Sequence, residues 1–169
     1  MPDTPRRHPN VVNLSEVKGA PFSRGKRFGF TNKVLGRATA AQGIGCSWYE
    51  VPPGRAAFPN HFHCSNEEAL FILDGTGTLR IGSESVELRA GDYVALPPGP
   101  DCSHQLLNNG DAPLRYLCLS TQLRTEVVGY PDSKKIAAMG MPPSAGSQPF
   151  WIRAIFEEKS AVDYYLGED

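Results

Sequence analysis

The chain has 169 residues, 40% of them hydrophobic, and a formal net charge of -1 at pH 7. This length is typical of one domain, which buries about 70% of the surface that its unfolded chain exposes. The near-neutral charge argues against a general nucleic-acid or anionic-membrane binder. No apolar window approaches the roughly 18 residues of a membrane span, and residues 1–10 lack the apolar stretch of a secretory signal. We therefore expect a cytoplasmic protein.

Short apolar runs separated by 17 glycines and 15 prolines are typical of an all-β sandwich or barrel. Residues 1–10 are predicted to be a flexible tail, and residues 11–121 are predicted to form the barrel. The expected strands, in chain order, are Val11–Leu14, Ile44–Val51, His61–His63, Ala69–Leu73, Thr78–Ile81, Ser85–Leu88, Tyr93–Leu96, His104–Leu107 and Leu114–Ser120. Their connections are too short for crossover helices, so the sheets are predicted to be antiparallel.

The segment 22–37 is rich in arginine and lysine. The simpler interpretation is a solvated loop or an edge strand. The alternative is a basic rim that attracts anionic ligands.

Residues 122–169 are predicted to be a C-terminal extension that packs on the barrel or on a dimer partner. Residues 122–149 are polar and contain several prolines and glycines, so they are expected to bury little, whereas 150–156 are apolar again. An apolar N-terminal strand and this apolar segment would leave surface to cover. We therefore predict a homodimer.

The four cysteines are widely spaced and form no CxxC pair, which argues against a sulfur-only zinc site. Cys46 and Cys118 lie in apolar runs and are predicted to be small core residues. Cys64 and Cys102 lie near candidate metal ligands, either as bystanders or with a role in thiol reactivity or metal coordination.

Residues 61–68, HFHCSNEE, carry the strongest functional signal. Side chains at positions i and i+2 of a strand share a face, so His61 and His63 are expected to project together. A carboxylate just beyond them, Glu67 or Glu68, can close on the same ion. Nitrogen and oxygen ligands of this kind suit Mn, Fe, Co, Ni, Cu or Zn rather than Ca or Mg.

The segment 54–75 resembles the first sequence motif of the cupin superfamily. Its His-x-His pair is His61 and His63, and Glu68 follows after four residues. Gly75 follows after six more, which selects Glu68 rather than the preceding glutamate for the carboxylate position. The gap before the first histidine is one residue longer than in the family pattern.

The segment 91–108 resembles the second cupin motif. Gly91, Pro97 and Gly99 have the spacing of that motif, whereas His104 comes two residues later than in the family pattern. Together the two motifs identify the chain as a member of the cupin superfamily. The resemblance implies an all-β, double-stranded β-helix (jelly-roll) barrel of two antiparallel sheets.

The resemblance also implies one divalent transition metal per chain, with Mn, Fe, Ni, Co and Zn as the candidates. The implied metal ligands are His61, His63, Glu68 and His104. The alternative is a metal-free barrel, as in storage and sensor cupins. More loosely, the whole chain is similar to small single-domain cupins that are often provisionally labelled sugar phosphate isomerases.

Four protein ligands leave about two open positions on an octahedral ion, which can chelate a hydroxy-carbonyl compound. The first functional hypothesis is therefore action on such a compound, with isomerisation of a sugar phosphate as the reaction. The phosphate would need basic residues at the barrel mouth, for which Arg55 and the segment 24–37 are candidates. Glu50 and Tyr49 are candidates for the general base, and the catalytic residues stay unassigned.

Two other functions remain open. An Fe or Ni ion held by three histidines and one glutamate resembles the centre of cupin dioxygenases, which chelate a dihydroxy substrate. A non-catalytic cupin that binds a small molecule is the third hypothesis. Metal identity and oxygen uptake discriminate between these alternatives.

Overall fold

The computed structural model describes residues 8–141 and 151–168, which form an all-β structure without an α-helix. The strands are β1 (Ala20–Arg24), β2 (Phe28–Val34), β3 (Ile44–Val51), β4 (Phe62–His63), β5 (Glu68–Asp74), β6 (Thr76–Ile81), β7 (Glu84–Arg89), β8 (Tyr93–Leu96), β9 (His104–Leu107), β10 (Leu114–Thr121), β11 (Thr125–Tyr130), β12 (Lys135–Gly140) and β13 (Ile152–Glu157). Short 3₁₀ helices lie at Leu14–Glu16, Gly36–Ala38, Pro100–Cys102 and Glu158–Ser160. All paired strands are antiparallel, which confirms the predicted fold class.

One early element was predicted wrongly. The expected strand Val11–Leu14 is replaced by the 3₁₀ helix Leu14–Glu16. Asn13 caps this helix by accepting a hydrogen bond from the backbone N–H of Ser15, while the Glu16 side chain accepts one from the Asn13 N–H. These local side-chain bonds compete with strand pairing and explain the difference.

The strands form three hydrogen-bonded sheets. The largest has the order β1-β2-β3-β10-β5-β8, and the smaller two have the orders β7-β6-β9 and β13-β12-β11-β4. A β-bridge between His61, which precedes β4, and His104, which begins β9, connects the two smaller sheets. They therefore act as one wall, and the six-stranded sheet is the other.

The hydrophobic core lies between these walls. It contains side chains from β3, β5, β8 and β10 of the large sheet, from β6, β7 and β9 of the other wall, and Ala57 from the connection between β3 and β4. The strand residues are Val51, Leu70, Ile72, Leu79, Leu88, Leu96, Leu106, Leu114 and Tyr116. Ile72 and Leu114 are completely buried.

The expectation that residues 122–149 bury little is wrong for β11 and β12. Val128 of β11 and Ala137 of β12 are buried. β11 pairs with β4, with Gly129 opposite Phe62. The Phe62 ring lies where a β-carbon of residue 129 would stand, so only glycine allows this close pairing. Residues 1–7, 142–150 and 169 lie outside the described residues, and the domain boundary at 121 stays a prediction.

The basic segment 22–37 supplies most of the β1–β2 hairpin at the edge of the large sheet. Arg55 does not face the barrel interior as a free cation, because its guanidinium donates hydrogen bonds to Ser23 Oγ and to the Phe28 carbonyl. Within the described residues no helix is long and apolar enough to cross a membrane.

Candidate metal centre

The backbone brings two predicted ligands from distant parts of the chain into direct opposition. The N–H of His61 donates to the His104 carbonyl at 3.1 Å, and the N–H of His104 donates to the His61 carbonyl at 2.7 Å. Such a bridge places both side chains on the same face. Their ring centroids are 4.5 Å apart.

The orientation of both imidazoles is fixed by backbone carbonyls. The Nδ1 atom of His61 lies 2.9 Å from the Pro59 carbonyl, and that of His104 lies 2.9 Å from the Cys102 carbonyl. Because a carbonyl only accepts, each Nδ1 carries a proton, and Nε2 is left as the nitrogen that can bind a metal. This is the usual outer-shell arrangement of a metal-ligating histidine.

Glu68 begins β5 and faces the histidines. Its Oε2 lies 3.5 Å from His63 Nε2 and 3.4 Å from His104 Nε2. Burial alone would raise the pKa of Glu68, but the contacts with His104 and His63 outweigh it and hold the pKa well below its usual range. The carboxylate is therefore ionised at neutral pH.

Cys118 contacts the other oxygen of this carboxylate, with its Sγ 3.8 Å from Glu68 Oε1. The thiol also lines the cavity beside the histidines, so Cys118 is more than the small core residue that its apolar surroundings predicted. Of the two cysteines flagged as close to ligands, Cys64 is exposed and Cys102 is half-buried.

His63 lies between two carboxylates. Its Nε2 faces Glu68 and its Nδ1 lies 3.4 Å from Glu126 Oε2, but neither buried nitrogen makes a hydrogen bond. Burial lowers the pKa of His63, yet the two glutamates outweigh it, and the net effect is a raised pKa. At His61 nothing comparable offsets burial, which with the nearby His104 lowers the pKa to about 4.

The buried carboxylate of Glu126 was missed by the sequence analysis. It is 5% exposed and accepts hydrogen bonds from the backbone N–H groups of Cys64, Ser65 and Asn66 at 2.9–3.2 Å. The Asn66 side-chain amide also contacts it. Glu126 thus holds the turn between His63 and Glu68. The available signal was a glutamate inside the β-favouring run 125–130.

The structure gathers the predicted ligands unequally. Ligand atoms of His61, Glu68 and His104 all lie within 4.8 Å of one another, whereas His63 joins the cluster through its contact with Glu68. Glu67, the alternative carboxylate, is exposed and takes no part.

These residues fit a transition metal. Ligand atoms bound at about 2.1 Å stand roughly 3.0–3.4 Å apart at octahedral or tetrahedral angles, close to the 3.4–3.5 Å between Glu68 and its two histidines. The buried Nε2 of His63, which faces Glu68 without a hydrogen bond, is a further sign, because such an atom is costly without a partner. Imidazole and carboxylate ligands suit the first-row metals.

A cavity of about 250 Å³ opens onto this cluster. Its other walls are largely apolar or aromatic and include Tyr49, Phe58, Leu106, Tyr116, Val128, Tyr130 and Met139. Burial, the largest influence, raises the pKa of Tyr49 to about 12, so its phenol keeps its proton near neutral pH. The site thus combines one polar cluster with water-excluding walls, which is typical of a small-molecule site.

Residues 47–120 match the cupin domain family. Together with the jelly-roll fold, this match, which spans a little under half of the chain, supports membership of the cupin superfamily, which the sequence motifs predicted. An uncharacterized protein of Methanocaldococcus jannaschii is 37% identical over 60 residues, an alignment that covers 36% of this chain. It covers 46%, a little under half, of that relative's length.

Solved structures share the fold over most of the chain. A protein of Acidithiobacillus ferrooxidans that is provisionally named a sugar phosphate isomerase superposes with a TM-score of 0.75 and 23% identity, covering 90% of this chain and 95% of its own. A cupin of Silicibacter pomeroyi named sugar phosphate isomerase superposes with a TM-score of 0.75 and 21% identity, covering 89% of this chain and 94% of its own. A predicted oxalate decarboxylase of Thermotoga maritima superposes with a TM-score of 0.59 and 26% identity, covering 67% of this chain and 99% of its own.

Proposed function

We propose that this cupin binds one divalent transition metal per chain and acts on a small hydroxy-carbonyl compound. The proposed ligands are His61, His63, Glu68 and His104. The observation that carries the proposal is the arrangement of Glu68 Oε2 between two imidazole Nε2 atoms, 3.5 and 3.4 Å away, at the wall of a cavity. Four ligands leave about two positions for a chelating substrate.

The reaction to test first is isomerisation of a sugar phosphate. Two structures with the same fold over about nine-tenths of this chain carry that name. When bound, the ion would supply Lewis-acid polarisation of the substrate carbonyl. The apolar walls would exclude water, which strengthens electrostatic interactions in the cavity.

The two proposed base candidates behave differently. Glu50 accepts a 2.7 Å ion-paired hydrogen bond from Arg115 and does not line the cavity. Tyr49 does line it, but its raised pKa keeps the phenol protonated. We therefore propose that Tyr49 donates a hydrogen bond to a substrate oxygen, and we assign no general base.

The test is incubation of metal-loaded protein with a panel of aldose and ketose phosphates in D₂O. The protein is loaded in turn with Mn, Fe(II), Co, Ni and Zn, and products and deuterium incorporation are followed by NMR. We expect turnover with at least one metal and its loss in His104→Ala. Neither turnover nor deuterium exchange with any loaded metal would exclude the isomerase.

A second candidate is metal-dependent oxygen chemistry, favoured by the aromatic and aliphatic walls around Phe58, Tyr116 and Met139. Such walls suit an apolar dihydroxy compound better than a sugar. Iron in protein purified without added metal, together with oxygen uptake on addition of a catechol, would support this function. Full activity under anaerobic conditions would exclude it. Ligand binding without conversion of any compound would leave a non-catalytic binding protein.

A further inference from the structure

Two larger cavities adjoin the metal cavity on different sides. The first, which we call the polar chamber, measures about 860 Å³. It shares Tyr49, Glu68 and Cys118 with the metal cavity. Most of its other side chains are neutral hydrogen-bonding groups or small residues, among them Asn32, Thr39, Gln42, Ser47, Ser120 and Gln122.

The second cavity, which we call the aromatic groove, measures about 570 Å³. It shares Ala57, Phe58 and Tyr130 with the metal cavity, none of which is a proposed metal ligand. Its walls are mainly Phe22, Phe28, Phe30 and Phe58, and its cations are Arg24 and Lys135. Lys135 already lies over the Tyr130 ring, with its Nζ 5.3 Å from the ring centroid.

Among the described residues that line the polar chamber, one is basic: Arg37, in the 3₁₀ helix that follows β2. No ion pair or hydrogen bond engages its guanidinium within the part of the chain that the structure describes. Glu68 is the only carboxylate in the chamber lining, and it is directed at His63 and His104. Arg37 is therefore free to meet an anionic ligand.

We propose that the polar chamber binds the hydroxylated, phosphorylated arm of the substrate and that Arg37 holds its phosphate group. The amide and hydroxyl side chains of the chamber can exchange hydrogen bonds with sugar hydroxyls in place of water. A guanidinium binds a phosphate through two parallel hydrogen bonds. Because Glu68 forms part of both cavities, a ligand in the chamber can reach the metal centre directly.

This inference deepens the proposed function and rests on it for the choice of substrate class. It also assigns specificity to a particular residue. A substrate with an anion at one end and a hydroxy-carbonyl at the other would span the chamber from Arg37 to Glu68. The phosphate contact then fixes which carbons lie at the metal.

The test is isothermal titration of Mn-loaded protein with ribose 5-phosphate and with ribose, for the natural chain and two variants. Arg37→Gln removes the proposed phosphate contact. Arg24→Gln is the matched control, because it removes an equal charge from the aromatic groove. Metal content is measured in each protein, so that a loss of affinity is not confused with a loss of metal.

We expect Arg37→Gln to raise the dissociation constant of ribose 5-phosphate by at least about tenfold, as is typical of a hydrogen-bonded charge contact, and to leave ribose binding within about twofold. Arg24→Gln should change both by less than about twofold. An equal or larger effect of Arg24→Gln would overturn the inference. So would an unchanged affinity in Arg37→Gln, or no difference between ribose 5-phosphate and ribose in the natural chain.

The two proposals fail differently. Arg37-dependent binding without any turnover or deuterium exchange would overturn the isomerase and keep the binding assignment. Turnover of a sugar phosphate with an unchanged KM in Arg37→Gln would keep the isomerase and overturn the assignment.

Discussion

The Glu126→Gln substitution tests the metal centre through a residue that is not itself a proposed ligand. In the natural chain, Glu126 Oε2 faces His63 Nδ1 at 3.4 Å and also accepts the Asn66 N–H at 2.9 Å. Glutamine keeps the shape but replaces one of the two oxygens with an NH₂ donor. On the Oε2 side, this donor would favour an acceptor at His63 Nδ1. The proton would then move to Nε2, where it blocks metal binding.

The expected loss of metal affinity is about 10- to 100-fold, the usual effect of removing such an outer-shell partner. Stability should fall as well, because one oxygen of Glu126 no longer accepts from the 64–66 turn. We expect the free energy of unfolding to decrease by about 2–4 kcal/mol, because one charge-assisted hydrogen bond is lost and the new NH₂ group faces a backbone N–H donor of the turn. In the metal-free protein the pKa of His63 should decrease, since Glu126 is one of the two carboxylates that raise it.

The assay is competition between the protein and a chelator of known affinity, with denaturant unfolding measured in parallel. Glu67→Gln is the control for charge, because Glu67 is exposed and next to Glu68 in the chain. Ile72→Ala is the control for stability, because the Ile72 side chain is completely buried in the hydrophobic core and does not line the metal cavity. Metal affinity within twofold of the natural chain in Glu126→Gln would refute the reasoning, as would an equal loss of metal affinity in Ile72→Ala.

Four further outcomes are expected. His61→Ala and His104→Ala should each lose the metal, measured by elemental analysis, whereas the exposed His8→Ala should retain it; about one ion per chain in both site variants would contradict the assignment. Metal affinity should fall as the pH falls through the raised pKa of His63, because the metal must displace a proton from that imidazole. The decrease should be up to about tenfold per pH unit for each proton displaced, and a metal affinity that does not change from pH 8 to pH 6 would exclude this coupling. Ile72→Ala should cost about 2–5 kcal/mol in denaturant unfolding, because the side chain is completely buried, and a cost below 1 kcal/mol would contradict the packing. We also propose a homodimer, because β13 and the residues after it expose many large apolar side chains, and a monomeric mass by light scattering would refute it.

Much of the fold could be predicted because its signals are local. The limits of β3, predicted as Ile44–Val51, agree with the structure, since an aromatic and β-favouring run ends at Pro52-Pro53-Gly54. The tight turn after β5 could be predicted as well, because glycine favours turns, and Gly75 adopts a φ of 81° that most other residues avoid. In contrast, the sequence did not distinguish β1 and β2 from a loop, because their basic and aromatic residues do not alternate clearly.

The residues of the candidate site that are close in sequence, or that belong to a recognisable motif, could be predicted. Strand alternation and motif spacing together selected Glu68 over Glu67. In contrast, neither signal predicts which basic residue lines a cavity that adjoins the metal centre. Arg55 and Arg37 look alike in sequence, but Arg55 is tied to the β1–β2 hairpin and Arg37 lines the polar chamber. This distinction depends on long-range strand packing, which no local pattern encodes.

The role of Glu126 could not be predicted from the sequence either, because it also depends on long-range strand pairing. A single glutamate in a strand is normally solvent-facing, and only the pairing of β11 with β4 turns this one inward toward His63. The predicted boundary at 121 would separate β4 from the strand that pairs with it. Because β11 supplies both that pairing and the buried carboxylate, the strand Thr125–Tyr130 contributes directly to the candidate metal centre.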